Sequence, residues 1–211
     1  MISSSVIDYF GRRWAVYYGM QRIYSLVSVG HKVEGNTVSF TLFNDRAKEY
    51  TGALTYKVMD NANRELHRGV LECDLLAPME SVSLGSVDLT DYVSGYERER
   101  YLTYSYSDGV QMRECTVLFA KSKHFAYRPL DLRATVTGSA NKFDVTLYPS
   151  GYVGRLKLGF STVDAVFSEN CIDIVDTAPR RISLETAEVV SAERLESELT
   201  FTCLNGIDGL D

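Results

Sequence analysis

The chain is 211 residues long, room for two domains of about 100 residues each, and 45% of it is hydrophobic against 24% charged, the balance of a globular protein. No apolar run approaches the roughly 20 residues needed to cross a bilayer, so a membrane is not an expected partner. The 22 lysines and arginines are outnumbered by 28 acidic residues, giving a net charge of −6 with no local basic patch; phosphate backbones are repelled, and nucleic acid is set aside as well.

A helix is predicted over Gly11 to Leu26, after the polar run Ser3-Ser4-Ser5 and Asp8. Trp14, Tyr17, Tyr18 and Gln21 fall at i, i+3, i+4 and i+7 on one face, while Val16, Met20, Ile23, Tyr24 and Val27 form a second apolar stripe nearly opposite. A helix apolar on two sides expects packing on both. After Gly30 the period drops to two: Val38, Phe40 and Leu42 alternate with Thr37, Ser39 and Thr41, as in a half-buried strand. The alternation returns in Leu54, Tyr56 and Val58, in Val82 and Leu84, in Leu102, Tyr104 and Tyr106, and in Val117 and Phe119. Ser107-Asp108-Gly109 supplies the positive-φ residues of a hairpin turn. Six or seven short strands in about 95 residues point to a β-sandwich.

From Lys121 to Pro129, two lysines, a histidine and a proline interrupt the rhythm, and a domain boundary is placed there. Alternation resumes in Leu132, Ala134 and Val136, in Phe143, Val145 and Leu147, and in Leu156, Leu158 and Phe160. A second sandwich follows, closed by Ile182-Ser183-Leu184 and Leu199 to Cys203. The halves share strand rhythm but no sequence repeat. The fold expected is mainly β, two sandwiches preceded by one helix, divided as residues 1–26, 27–121 and 127–211.

Chemistry-bearing motifs are sparse. No GxSxG elbow, GxxxxGK[ST] loop or GxGxxG turn occurs, and Cys73, Cys115, Cys171 and Cys203 form no CxxC; His31, His67 and His124 are equally scattered. No catalytic, cofactor-binding or metal-binding residue is therefore assigned. The expected setting is a reducing, cytoplasmic one, since Met1-Ile2-Ser3-Ser4-Ser5 lacks the basic and apolar regions of a secretory leader. Two carboxylate pairs, Asp88 with Asp91 and Asp173 with Asp176, are read as turn and strand-edge residues rather than a glycosidase pair or a calcium site. Glu97-Arg98-Glu99-Arg100 is read as a solvated strand edge. Of the 14 tyrosines, Tyr92, Tyr96, Tyr148 and Tyr152 lie near turn signals and are the candidates for exposed sugar contacts.

The opening Ser4-Ser5-Val6-Ile7-Asp8-Tyr9-Phe10-Gly11-Arg12, followed by Tyr17-Tyr18 and Arg22, resembles the end of the catalytic barrel in family 2 glycoside hydrolases of the β-mannosidase type. Val117-Leu118-Phe119-Ala120 with Lys123, and Phe167 to Ile174 with Pro179, resemble the interdomain strand and terminal immunoglobulin-like domain of the same enzymes. Arg13 departs from the pattern, where proline often opens the helix. The resemblance implies two immunoglobulin-like sandwiches behind the last helix of a (β/α)₈ barrel. A whole barrel needs about 250 residues, so the chain is expected to be a C-terminal fragment.

The resemblance also implies that both catalytic glutamates of these retaining exo-glycosidases lie upstream of Met1, so this chain alone is expected to have no hydrolase activity. Its expected role is accessory: bracing the barrel and shaping access to its pocket, with substrate met only through the parent enzyme. Ser4, Ser5 and Asp8 are candidates for a minor wall of that pocket. Trp14, Tyr17 and Tyr18 are the expected barrel-docking face, and the same uncovered face is expected to promote self-association. The alternative reading is a free-standing carbohydrate-binding sandwich using the turn tyrosines.

Overall fold

The computed structural model describes residues 5–206; Ser4 and the residues after Gly206 lie outside them. The N-terminal segment forms α1 (Ala15–Ile23), shorter than the predicted helix. The helix stops early because the next residues have other partners. Ser25 is buried with its hydroxyl donating to Asp108, and Val27 already belongs to a strand.

The residues form two compact units. In the first, Arg22–Ala126, β1 (Val27–Glu34), β2 (Thr37–Asn44), β3 (Tyr50–Asp60), β4 (Glu65–Leu76), β5 (Glu80–Asp88), the short α2 (Thr90–Val93), β6 (Arg100–Ser107) and β7 (Met112–Leu118) follow in order. They make a three-stranded antiparallel sheet, β1-β2-β5, and a four-stranded one, β4-β3-β6-β7. The inward residues are those the alternation marks: Val38, Phe40 and Leu42 on β2, Leu54, Tyr56 and Val58 on β3, Leu102, Tyr104 and Tyr106 on β6. β4 escapes the sequence reading because Glu65, Arg68, Glu72 and Asp74 interrupt its apolar residues. It is an edge strand, where such charges discourage further pairing. Its Gly69 faces Tyr56 across the ladder, and the tyrosine ring occupies the space a side chain would take.

Two polar side chains fasten this unit internally. Fully buried Asn44 donates to the carbonyls of Lys48, Leu76 and Ala77, and its oxygen accepts from the Arg46 amide, tying two loops together. Asp108, at the head of the β6–β7 turn, accepts from the amides of Val110 and Gln111, from Arg113 Nε and from Ser25. The Glu97–Arg100 run differs from its expected role as a solvated edge. Arg98 donates to the His124 carbonyl, and Arg100 bonds the Tyr92 carbonyl, so both arginines hold loops.

The second unit joins the N-terminal segment, through Gln21, to Tyr127 and beyond. Its elements are β8 (Leu132–Ser139), β9 (Lys142–Pro149), β10 (Val153–Phe160), β11 (Ala165–Phe167), β12 (Ile172–Ile174), β13 (Arg180–Thr186), α3 (Ala192–Glu198) and β14 (Leu199–Thr202). The sheets are β11-β13-β9-β8 and β12-β10-β14, again four strands and three. Val145, Leu147, Leu156, Ile174, Ile182 and Leu195 fill the core between them. α3 is capped by the Ser191 hydroxyl, and its Glu196 takes the Val136 amide on edge strand β8, answering a donor that the sheet leaves unpaired. β10 carries a bulge that shifts the inward phase between Val153 and Leu156. Arg155 there has φ +54°, and its amide is held by the Asp173 carboxylate at 2.8 Å.

The chain is thus mainly β, two immunoglobulin-like sandwiches with one N-terminal helix. Among the described residues no helix is long and apolar enough to cross a membrane, and the four cysteines form no disulfide.

Candidate functional site

The most exposed aromatic residue, Tyr9, belongs to the loop that precedes α1, beside exposed Phe10. Ile7 and Arg13 pair across its base as an antiparallel bridge, reinforced by the Trp14 amide donating to the Val6 carbonyl. Inside it, Asp8 Oδ1 accepts from the amides of Phe10 and Arg12 at 2.9 Å each, and Oδ2 accepts from Arg12 Nε at 2.7 Å. Burial acts to raise the Asp8 pKa, but the bonds from Arg12 and Phe10 outweigh it and hold the carboxyl below its ordinary value. Gly11 supplies the φ of +81° that closes the turn. With its backbone satisfied internally, the loop presents Tyr9 and Phe10 edge to face, 96% and 73% exposed, with Arg12 stacked over Phe10. Asp60 and Arg64 build the same Asp-x-x-x-Arg arrangement at the β3–β4 turn. That spacing, with glycine before the arginine at the first site, is the sequence signal for this loop; helical periodicity alone does not reveal it.

The expected docking face is divided by the fold. Trp14 is exposed, as are Val16 on α1 and Ile7 in the loop. Tyr17 is half-buried with the Arg13 guanidinium over its ring. Tyr18 is only 3% exposed, part of the core of its own unit, and burial raises its pKa. The expectation that Tyr18 is uncovered is corrected: Tyr18 faces the sandwich, while Ile7, Tyr9, Phe10, Trp14 and Val16 in the loop and at the start of the helix, and Ile23 and Tyr24 at its end, are exposed. Asp8 is engaged within the loop; Ser5 is exposed, and Ser4 is outside the described residues.

Each of the four turn tyrosines has a ring or guanidinium neighbour within its own unit. Tyr92 is stacked on His67 at 4.3 Å, Tyr96 lies under Arg100 at 3.9 Å, and Tyr148 lies under Arg133 at 4.5 Å. Tyr152, expected at the surface, is buried at 3% exposure with its ring stacked on Tyr127. Each ring therefore has a face already occupied by a protein group.

The carboxylate pairs have local partners. Asp88 accepts from the Thr90 amide and hydroxyl in the turn before α2, Asp173 serves the β10 bulge, and Asp176 accepts from the Ala178 amide. Among the described residues no three His, Cys, Asp or Glu side chains converge as metal ligands.

Comparison with known proteins follows the two-sandwich division. Residues 36–124 match the family model described as a Mannosidase Ig/CBM-like domain, and residues 128–207 match one described as an Ig-fold domain, also of the mannosidase group. Among solved structures, the chain is similar to a β-D-mannosidase from Dictyoglomus thermophilum, with a TM-score of 0.74 and 17% identity over 94% of this chain and 24% of that one. It is also similar to an exo-chitosanase from Amycolatopsis orientalis, with a TM-score of 0.63 and 10% identity over 95% of this chain and 28% of that one. At these identities the likeness establishes the fold, and the chain spans about a quarter of the length of either enzyme. None of the curated proteins matches the sequence. Residues 36–124 and 128–207 belong to these two domain families, and the chain carries two consecutive immunoglobulin-like domains of the mannosidase type.

Proposed function

We propose that this chain is the non-catalytic accessory region of a β-mannosidase-type glycosidase, bracing a catalytic barrel and shaping access to its pocket. The observation that carries the reading is the tandem match of both mannosidase-type domains, in order, along a chain whose fold recurs within about a quarter of a β-mannosidase. The substrate, a β-linked mannoside, is met through the parent enzyme, whose barrel supplies the acid/base and the nucleophile. The N-terminal segment is the docking element. Tyr18 and half-buried Tyr17 fasten it to the second sandwich, while Tyr9, Phe10, Trp14 and Val16 face the barrel. Rigid exposed aromatics suit this role, since a pre-folded loop loses little conformational entropy on docking.

Without a barrel, the same patch drives the isolated chain to self-associate. The setting proposed is cytoplasmic.

The test is incubation of purified chain with p-nitrophenyl β-mannoside. No nitrophenol release above a heat-inactivated control is expected; release that scales with chain concentration would overturn the non-catalytic reading. A protein that remains monomeric by sedimentation velocity at high micromolar concentration would count against the docking patch.

A further inference from the structure

The second unit contains an open groove of about 460 Å³ between the start of the N-terminal helix and the outer face of the β11-β13-β9 sheet. Its volume falls within the range of small-molecule sites, roughly 300–1,000 Å³. The floor consists of outward residues in cross-strand register: Lys142 opposite Glu185, and Asp144 opposite Ser183, with Arg181 beside them. These groups are mutually paired. Arg181 bonds Asp144, the Ser183 hydroxyl donates to Asp144 at 2.7 Å, and Lys142 lies 3.7 Å from Glu185. Arg13 forms the wall. Its guanidinium stacks on Tyr17 at 4.6 Å and has no carboxylate partner among the described residues.

We propose that this groove binds an acidic oligosaccharide, with Arg13 taking the sugar carboxylate. The floor offers carboxylate acceptors, a hydroxyl and cationic donors side by side, which matches sugar hydroxyls that both give and accept hydrogen bonds. An apolar ligand would strip water from these ion pairs without replacing it. A phosphodiester backbone would meet two carboxylates on the floor. The uncompensated charge of the groove is the Arg13 guanidinium, held in place by the Tyr17 ring and suited to bidentate recognition of a carboxylate. The choice of a saccharide rests on the glycosidase reading above; selection for an anion rests on Arg13 itself.

The experiment is isothermal titration of the full chain with β-linked tetramannuronate, with neutral β-mannotetraose and with inorganic phosphate. Tetramannuronate is expected to bind, and Arg13→Ala to weaken it by about tenfold or more. Arg13→Lys should recover part of the loss by keeping the charge without the fork, and affinity should fall as salt is raised. Ser183→Tyr, placing a ring on the groove floor, should abolish binding while the melting curve stays that of the parent chain. Binding unchanged in Arg13→Ala, equal affinity for the neutral tetramer, phosphate binding as tightly as the sugar, or no heat at millimolar tetramannuronate would each overturn the proposal. The nitrophenyl mannoside assay reports on catalysis alone, so failure here and failure of the accessory-region reading are separable.

Discussion

Asp108 is a polar side chain whose removal should damage the first sandwich heavily. It is 6% exposed and accepts four hydrogen bonds: from the Val110 and Gln111 amides at 2.8 Å, from Arg113 Nε at 2.6 Å and from the Ser25 hydroxyl at 3.0 Å. Burial alone would raise its pKa, but these donors outweigh it and lower the value from 3.8 to about 2. A depression of that size stabilises the fold by about 2 kcal/mol at neutral pH.

Because the folded pKa lies below the unfolded one, the contribution is complete above about pH 4 and is lost as pH falls toward 2. Asp108→Asn keeps an acceptor but not the charge, and should cost about 2 kcal/mol at pH 7 while removing this part of the acid dependence. Asp108→Ala strands a half-buried guanidinium and three other donors, and should cost about 3 to 5 kcal/mol. The assay is urea unfolding followed by amide resonances of Val110 and Gln111, with Leu156 and Ile182 reporting the other unit. Parallel loss of stability in wild type and Asp108→Asn between pH 4 and 2, or a cost below about 1 kcal/mol for Asp108→Ala, would refute the reasoning.

Asn44→Ala leaves the carbonyls of Lys48, Leu76 and Ala77 without their shared donor and should cost about 2 to 3 kcal/mol, read from a thermal melt of the first unit. Gly69→Ala places a methyl group where the Tyr56 ring and hydroxyl lie, and should cost about 1 to 3 kcal/mol. In a double-mutant cycle, Tyr56→Ala should cost less in that background than in wild type; strict additivity would show that the two sites do not touch. The double substitution Tyr9→Ser with Phe10→Ser should leave stability within about 0.5 kcal/mol of wild type, because both rings are solvent-facing, yet suppress self-association in sedimentation velocity. Unchanged association in that variant would move the docking surface elsewhere.

Strand rhythm carried most of the architecture. Where one face of a strand is buried, side chains must alternate, and Val38-Phe40-Leu42, Leu102-Tyr104-Tyr106 and Phe143-Val145-Leu147 show their inward faces in the sequence itself. The rule gives little warning of β4, whose charges answer to an open sheet edge, or of the β10 bulge, where Arg155 breaks phase and Asp173 holds the break. It also overextends α1, because Ser25 and Val27 look acceptable in a helix until Asp108 and β2 claim them.

The Gly-Arg to Tyr-Tyr spacing pointed to the mannosidase group from the sequence alone, and both domain families agree with it. Which aromatics face outward was settled only by tertiary structure. Tyr18 and Tyr152 are buried, whereas Tyr9 and Phe10 stand on a loop braced by Asp8 and Arg12. Periodicity reports that a residue has an apolar neighbour to seek, but not which neighbour is within reach. That choice belongs to contacts between residues distant in sequence, and so does the groove that sets Arg13 beside Asp144 and Arg181.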